Sequence, residues 1–161
     1  MTPTVERGRS FDAWAGEYDR YRPTYPDELF AFITRELELP EMPRVADLGA
    51  GTGRASIAMA SLGWGVTAVE PGGPMLDVLR ARAADEVLPI EPVRATAEAT
   101  GLPAASFDLA TAAQAFHWFD KPAALAEMAR IVRPGGGVAL FWNVRDENRS
   151  PFVLQTMSCS S

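Results

Sequence analysis

Two spacings of apolar residues alternate along this chain. Short runs of Val, Ala and Leu are separated by longer stretches in which apolar residues recur every three or four positions. Leu29, Phe32, Ile33 and Leu37 have the second spacing. Pro26 suits the first helical turn, and Asp27 and Glu28 favour the positive helix end, so a helix begins near Pro26 and stops at Pro40 and Pro43. Val45 to Leu48 reads as a short buried strand. Ala55, Ala58, Met59 and Leu62 predict a helix over 54–62, closed by Gly63. Val66 to Val69 is a second strand, and 74–83 a second crossover helix. Ile90 to Arg94 is a third strand, which Pro92 confines to a sheet edge because proline has no N–H to donate. Phe107 to Ala112 is a fourth strand. A helix over 122–132 ends at Arg133-Pro134-Gly135-Gly136, and Val138 to Trp142 is a fifth strand.

Strands that alternate with helices predict right-handed crossovers and a mostly parallel sheet covered on both faces, an α/β three-layer αβα sandwich. One domain accounts for 161 residues: an N-terminal cap segment over 1–25 with interleaved aromatics, a core over 44–143 and a tail over 144–161. The net charge of −6 argues against a nucleic-acid surface, which needs a basic field. The single cysteine, Cys159, allows no intrachain disulfide and no cysteine cluster for a metal. Residues 1–10 lack the apolar stretch of a secretory signal, and no apolar run reaches the length of a membrane span, so a cytoplasmic location is expected.

The chemistry concentrates in Asp47-Leu48-Gly49-Ala50-Gly51-Thr52-Gly53, between a strand and a helix. Glycines let the backbone turn sharply and approach a ligand, and the helix start offers N–H groups to an anion such as a carboxylate. A dinucleotide fingerprint, G-x-G-x-x-G, would need glycine where Arg54 stands, and Asp47 would repel a pyrophosphate. The loop suits a ligand with an ammonium, a sulfonium and a carboxylate but no phosphate. S-adenosylmethionine is such a ligand. Glu70 ends the second strand, where an acid can accept hydrogen bonds from both ribose hydroxyls; the alternative is a solvated surface glutamate.

These stretches, with VTAVEP, ATAEATGLP, SFDLATAAQAFHWFD and ARIVRPGGGVALFWN, resemble the class I S-adenosylmethionine-dependent methyltransferases from about Phe11 to Asp146. The likeness is to the small-molecule, type 11-like group that includes trans-aconitate-type and quinone-pathway enzymes. The resemblance implies a Rossmann-like fold with strand order 3-2-1-4-5 and methyl transfer from S-adenosylmethionine to a small-molecule acceptor. It also implies that Asp47, Gly49, Ala50, Gly51 and Gly53 hold the methionine end, Glu70 the ribose, and Pro71 and Met75 the adenine. Thr96, Ala97 and Glu98 would meet the adenine rim, and Gln114, Ala115 and Phe116 would pass beside the sulfonium. Many relatives have Asp where this chain has Thr96. Tyr18, Tyr21 and Arg22, in a segment resembling the family's entry motif, could cap the cofactor, or the aromatics could simply anchor the segment to the sheet.

His117, the only histidine, follows the fourth strand and is the candidate general base. The alternative is a structural His-Trp pair in which Trp118 packs and His117 bonds to backbone. Ser56 and Met59 read as packing residues. Arg54 is either a surface charge or a substrate contact. The tail from Ser150 to Ser161 does not resemble the family, so a chain that stops short of the family's final antiparallel hairpin is expected. Five strands would then be present, and residues 138–142 would be an uncovered apolar edge open to self-association. Two other functions stand beside methyl transfer: a catalytically impaired cofactor-binding module, and a nicotinamide-dependent oxidoreductase.

Overall fold

The computed structural model describes residues 3–11, 25–143 and 152–159, with side chains described over 25–142 and 154–159. The strands are β1 (Pro3–Phe11), β2 (Arg44–Leu48), β3 (Gly65–Val69), β4 (Glu91–Val93), β5 (Phe107–Ala113), β6 (Val132–Asn143) and β7 (Phe152–Cys159). The helices are α1 (Asp27–Glu36), α2 (Arg54–Ser61), α3 (Gly73–Asp85) and α4 (Lys121–Ile131). They build one sheet of order β1-β7-β6-β5-β2-β3-β4. Its parallel part, β4-β3-β2-β5-β6, has the order expected from the sequence.

Period-two alternation divides the core between the two faces of this sheet. Val45, Val66, Leu109, Ala139 and Phe141 point to the side covered by α1 and α2, where Leu29, Phe30 and Ile33 are wholly buried beside Met59. Ala46, Ala110, Ala112, Val138 and Leu140 point to the other side, against Ala124, Met128 and Ile131 of α4. Leu76 and Leu79 of α3 pack on Ala68. Full burial of such a side chain stabilises by about 1.5–3 kcal/mol, so the two faces together hold the sheet flat against its helices.

β4 lies at the edge, as Pro92 requires. The Val93 carbonyl accepts from the Glu70 N–H at 3.0 Å, so Val93 turns its backbone groups toward β3. Backbone direction alternates along a strand, so the missing N–H of Pro92 falls on the outer side and costs no ladder bond.

The expectation of five strands and a missing hairpin is corrected. β7 pairs antiparallel with β6 from Gly137↔Ser158 to Asn143↔Phe152, and β1 pairs antiparallel with β7. The cause is the pattern of the tail. Leu154 falls on the α1 side, while Met157 and Cys159 fall on the α4 side, so both faces of the new strand are filled. The backbone groups along β6 thereby find partners, and the uncovered edge expected at residues 138–142 does not exist. β6 also starts earlier than expected, at Val132, and carries Arg133 to Gly136 within the strand. The pairing with β5 shifts register between Phe107 and Leu109, and Gly135 takes a left-handed φ of 87°. Of the segment expected as a cap, residues 3–11 form β1, while Tyr18, Tyr21 and Arg22 lie outside the described residues.

Leu154→Ala tests the docking of β7. The side chain is fully buried with Phe141 and Leu109, so the variant is expected to lose about 2–5 kcal/mol of stability in urea unfolding. A loss under about 0.5 kcal/mol, the size of a surface substitution, would show that β7 is not packed there.

Candidate functional site

Beyond the carboxyl ends of β2, β3 and β5 lies a cavity of about 440 Å³. This is the crevice where an open parallel sheet reverses its order of connection, from β2 outward to β3 on one side and β5 on the other. The chain leaves β2 through three left-handed glycines, with φ of 67° at Gly49, 60° at Gly51 and 94° at Gly53. A Cβ on Gly49 would stand 2.7 Å from Ala115 Cβ and 2.9 Å from the Phe119 ring. Gly51 has nothing within 4 Å of its Cβ position, so the loop presents bare backbone to the cavity. Gly53 begins α2 with no side-chain cap on the helix start.

Two carboxylates share this cavity. Asp47, at 1% exposure, is the next-to-last residue of β2. One of its oxygens accepts from Ser56 Oγ at 2.6 Å and the other from Thr111 Oγ1 at 2.9 Å. Burial pushes the Asp47 carboxyl up to about 6 from 3.8, against the pull of both hydroxyls and with a smaller push from the charge of Glu70. Glu70 follows β3. Its Oε1 accepts from the Gly51 N–H at 2.8 Å and its Oε2 from the Gly72 N–H at 2.7 Å. Glu70 thus joins the glycine loop to the β3 turn, and each oxygen keeps acceptor capacity beyond the one bond.

The opposite wall comes from β5 and from the turn after it. Gln114 follows β5 with a φ of 68°, its N–H held by the Phe141 carbonyl at 3.0 Å. Its side-chain amide donates to the Tyr25 hydroxyl at 3.0 Å. Tyr25 is anchored edge-on against Phe141, with ring centroids 5.1 Å apart. Ala115, Trp118 and Phe119 continue the wall, and Trp118 is 81% exposed at the rim.

The expected site residues divide clearly. Asp47, Gly49, Ala50, Gly51, Glu70, Pro71, Met75, Gln114 and Ala115 line the one cavity. Gly53 does not; it is packed against Leu79. Thr96, Ala97 and Glu98 lie outside the lining. The segment folds back on itself through a bridge between Thr96 and Ala99, Ala97 is buried in the core, and the Glu98 carboxylate accepts from the Asp120 N–H at 3.0 Å. Phe116 is half-buried, edge-on to Phe119, and outside the lining. His117 is exposed, its ring tilted against Trp118, and it does not line the cavity. Trp118 is not the packed residue of the structural His-Trp pair. Ser56, read as packing, is a hydrogen-bond donor to Asp47. Tyr25, Thr52, Ala55, Ala113, Trp118 and Phe119 join the lining unforeseen, and Arg54 lines it too. Only the spacing of the glycine loop could have pointed to Thr52 and Ala55; the others arrive by tertiary packing.

Among the described residues no group of three His, Cys, Asp or Glu could hold a metal, and no helix is long and apolar enough to cross a membrane. The residues present fit S-adenosylmethionine. Bare loop backbone at Gly51, an acid beside it and a second acid at the end of β3 surround one space.

Comparison with known proteins shows the family. The sequence profile described as Methyltransferase domain matches residues 46–140. An uncharacterized methyltransferase of Mycobacterium bovis is 43% identical over 139 residues, which are 86% of this chain and 54% of the relative. An uncharacterized methyltransferase of Schizosaccharomyces pombe is 34% identical over 147 residues, 91% of this chain and 57% of the relative. The solved structure of a protein from Anaeromyxobacter dehalogenans, assigned as a type II methyltransferase, is 37% identical. It superposes with a TM-score of 0.64 over 76% of this chain and 49% of that one. The chain spans about half the length of the curated relatives it matches. With the glycine loop and both buried carboxylates inside the matched region, the chain belongs to the methyltransferase-domain family.

Proposed function

We propose that this domain binds S-adenosylmethionine in the cavity beyond β2 and β3 and presents it for methyl transfer to a small-molecule acceptor. One observation carries the reading: Asp47 and Glu70 face a single cavity beside left-handed glycine backbone. When bound, S-adenosylmethionine supplies a methyl group on a sulfonium, a centre open to direct displacement. The chain's own residues bind and orient. Glu70 accepts from the ribose hydroxyls, and Asp47 favours the cationic amino end. The uncapped start of α2 faces the carboxylate, and Pro71 and Met75 border the adenine. Gln114 and Ala115 form the wall toward the acceptor. Orientation of this sort supplies about 7–11 kcal/mol of barrier reduction in favourable cases. His117 has no proton-transfer role in this reading, because it stands outside the cavity wall.

Nothing favours the nicotinamide alternative. Arg54 occupies the place of a third glycine, and the family is one of methyltransferases. Transfer of tritium from labelled S-adenosylmethionine to a metabolite extract is the direct test; absence of both transfer and cofactor binding overturns the reading.

Two variants sharpen it. Glu70→Ala removes an ionised acceptor, a change worth about 1.5–3 kcal/mol, so the Kd for S-adenosylmethionine by calorimetry is expected to rise roughly 10- to 150-fold. Asp47→Asn probes the buried charge. The folded carboxyl ionises near 6 and the unfolded one near 3.8, so the folded state holds the proton more tightly between those values. The favourable contribution is present below about pH 3.8 and lost as pH rises through 6, a swing of up to about 3 kcal/mol. Asp47→Asn is therefore expected to melt higher than wild type at pH 7, to match it near pH 4, and to bind cofactor more weakly. An equal melting difference at both pH values would contradict this.

A further inference from the structure

Ser56 and Thr111 stand out among the buried polar groups that the proposed function does not use. Neither is exposed at all, and neither lines the cavity. Thr34 and Ser61, deeper in their helices, bond back to the carbonyl four residues earlier, Phe30 at 2.8 Å and Ile57 at 2.7 Å. Ser56 is the third residue of α2, and the carbonyl four residues before it, that of Thr52, lies ahead of the helix. Ser56 instead donates to Asp47, at 2.6 Å, a length typical of a hydroxyl on an ionised carboxylate. Thr111 is the register partner of Asp47 on β5 and donates to the other oxygen. The carboxylate is thus gripped from a helix and from the neighbouring strand.

The rest of its surroundings oppose a negative charge. The β3 register partner is Ala68, and the titratable group that follows from that strand is Glu70, a like charge. From α2 the charged residue on the cavity is Arg54, whose side chain is exposed and makes no bond to Asp47. The two hydroxyls are then the groups that favour the ionised form, set against burial and Glu70.

We propose that Ser56 and Thr111 are positioning residues of the cofactor site, whose hydroxyls hold Asp47 oriented and negatively charged so that it can take the cationic end of the cofactor. The inference rests on the proposed function for its ligand, but not for the clamp itself. Because the carboxyl already ionises near 6, removal of either hydroxyl carries it toward or past neutrality. Affinity then depends on pH within the physiological range. Ser56 and Thr111 would set that affinity without lining the cavity.

The test uses the whole chain and S-adenosylhomocysteine as the probe. Calorimetry from pH 5 to 8 is run on wild type, Ser56→Ala, Thr111→Val and Thr111→Ser, with folding checked by circular dichroism. Carboxyl NMR follows the ionisation of Asp47 in the ligand-free protein. The expected result is that Thr111→Val and Ser56→Ala bind about twofold or more weakly at pH 7, about fivefold or more weakly at pH 6, and recover toward wild type at higher pH. Their Asp47 midpoint rises by about one unit or more, and Thr111→Ser stays near wild type in both. If Ser56→Ala does not fold, the Thr111 pair decides. Unchanged midpoints in folded variants overturn the clamp, as does a loss of affinity that is the same at every pH. Failure of wild type to bind the probe at any pH would overturn the cofactor reading instead, and the NMR midpoints would still decide whether the hydroxyls hold the charge.

Discussion

Everything at this site depends on one geometric constraint: β2, paired on both sides, must turn from the middle of a buried sheet into α2 within Gly49 to Gly53. Three of its five residues take a left-handed φ, which side chains disfavour, and two of those have no room for a Cβ. Gly49 lies against Ala115 and Phe119, and Gly53 against Leu79. The loop therefore keeps its backbone bare, and bare backbone at a strand end is what a small polar ligand can approach closely. The cavity follows from the tightness of the turn.

The two acids meet that turn in different ways. Glu70 binds it from outside, through backbone N–H groups on either side of the crevice. Asp47 sits beneath it, buried, and keeps its charge against its surroundings. A buried charge of this sort weakens the folded state at the pH values where it is ionised. A separate acid shows the opposite balance. Glu127 is held by Arg130 and by both donors of Thr100, and its carboxyl lies down at about 2, chiefly through the Arg130 hydrogen bond. That network fastens α4 to the segment after β4.

The parallel half of the sheet was legible because it is written locally. Short apolar runs, the glycine loop, Pro92 and the acid after β3 each carry their own signal within a few residues, and all fell where expected. The other half was not. β7 has no family pattern; its place is decided by backbone pairing with β6 and by where Leu154 and Met157 fall once it is paired. The start of β6 was hidden because proline and glycine read as a stop, whereas the chain absorbs them in an irregular register. At the site, the resemblance placed residues 96–98 near the ligand, but Glu98 is engaged with the N–H of Asp120. Tyr25 reaches the cavity with its ring edge-on to Phe141, over a hundred positions later, and its hydroxyl on Gln114. No spacing in the sequence encodes that meeting. The role of Ser56 was likewise invisible, since a serine on the inner face of a helix looks like filler until its partner is seen.

The outward-facing imide of Pro92 gives the sheet a polarity across its width. A ribbon from another molecule that tried to lengthen the array beside β4 would find a three-residue template with one donor deleted at its centre. Growth on that flank is blocked at the first rung. Recruitment of an extended segment is thereby directed away from the β4 margin.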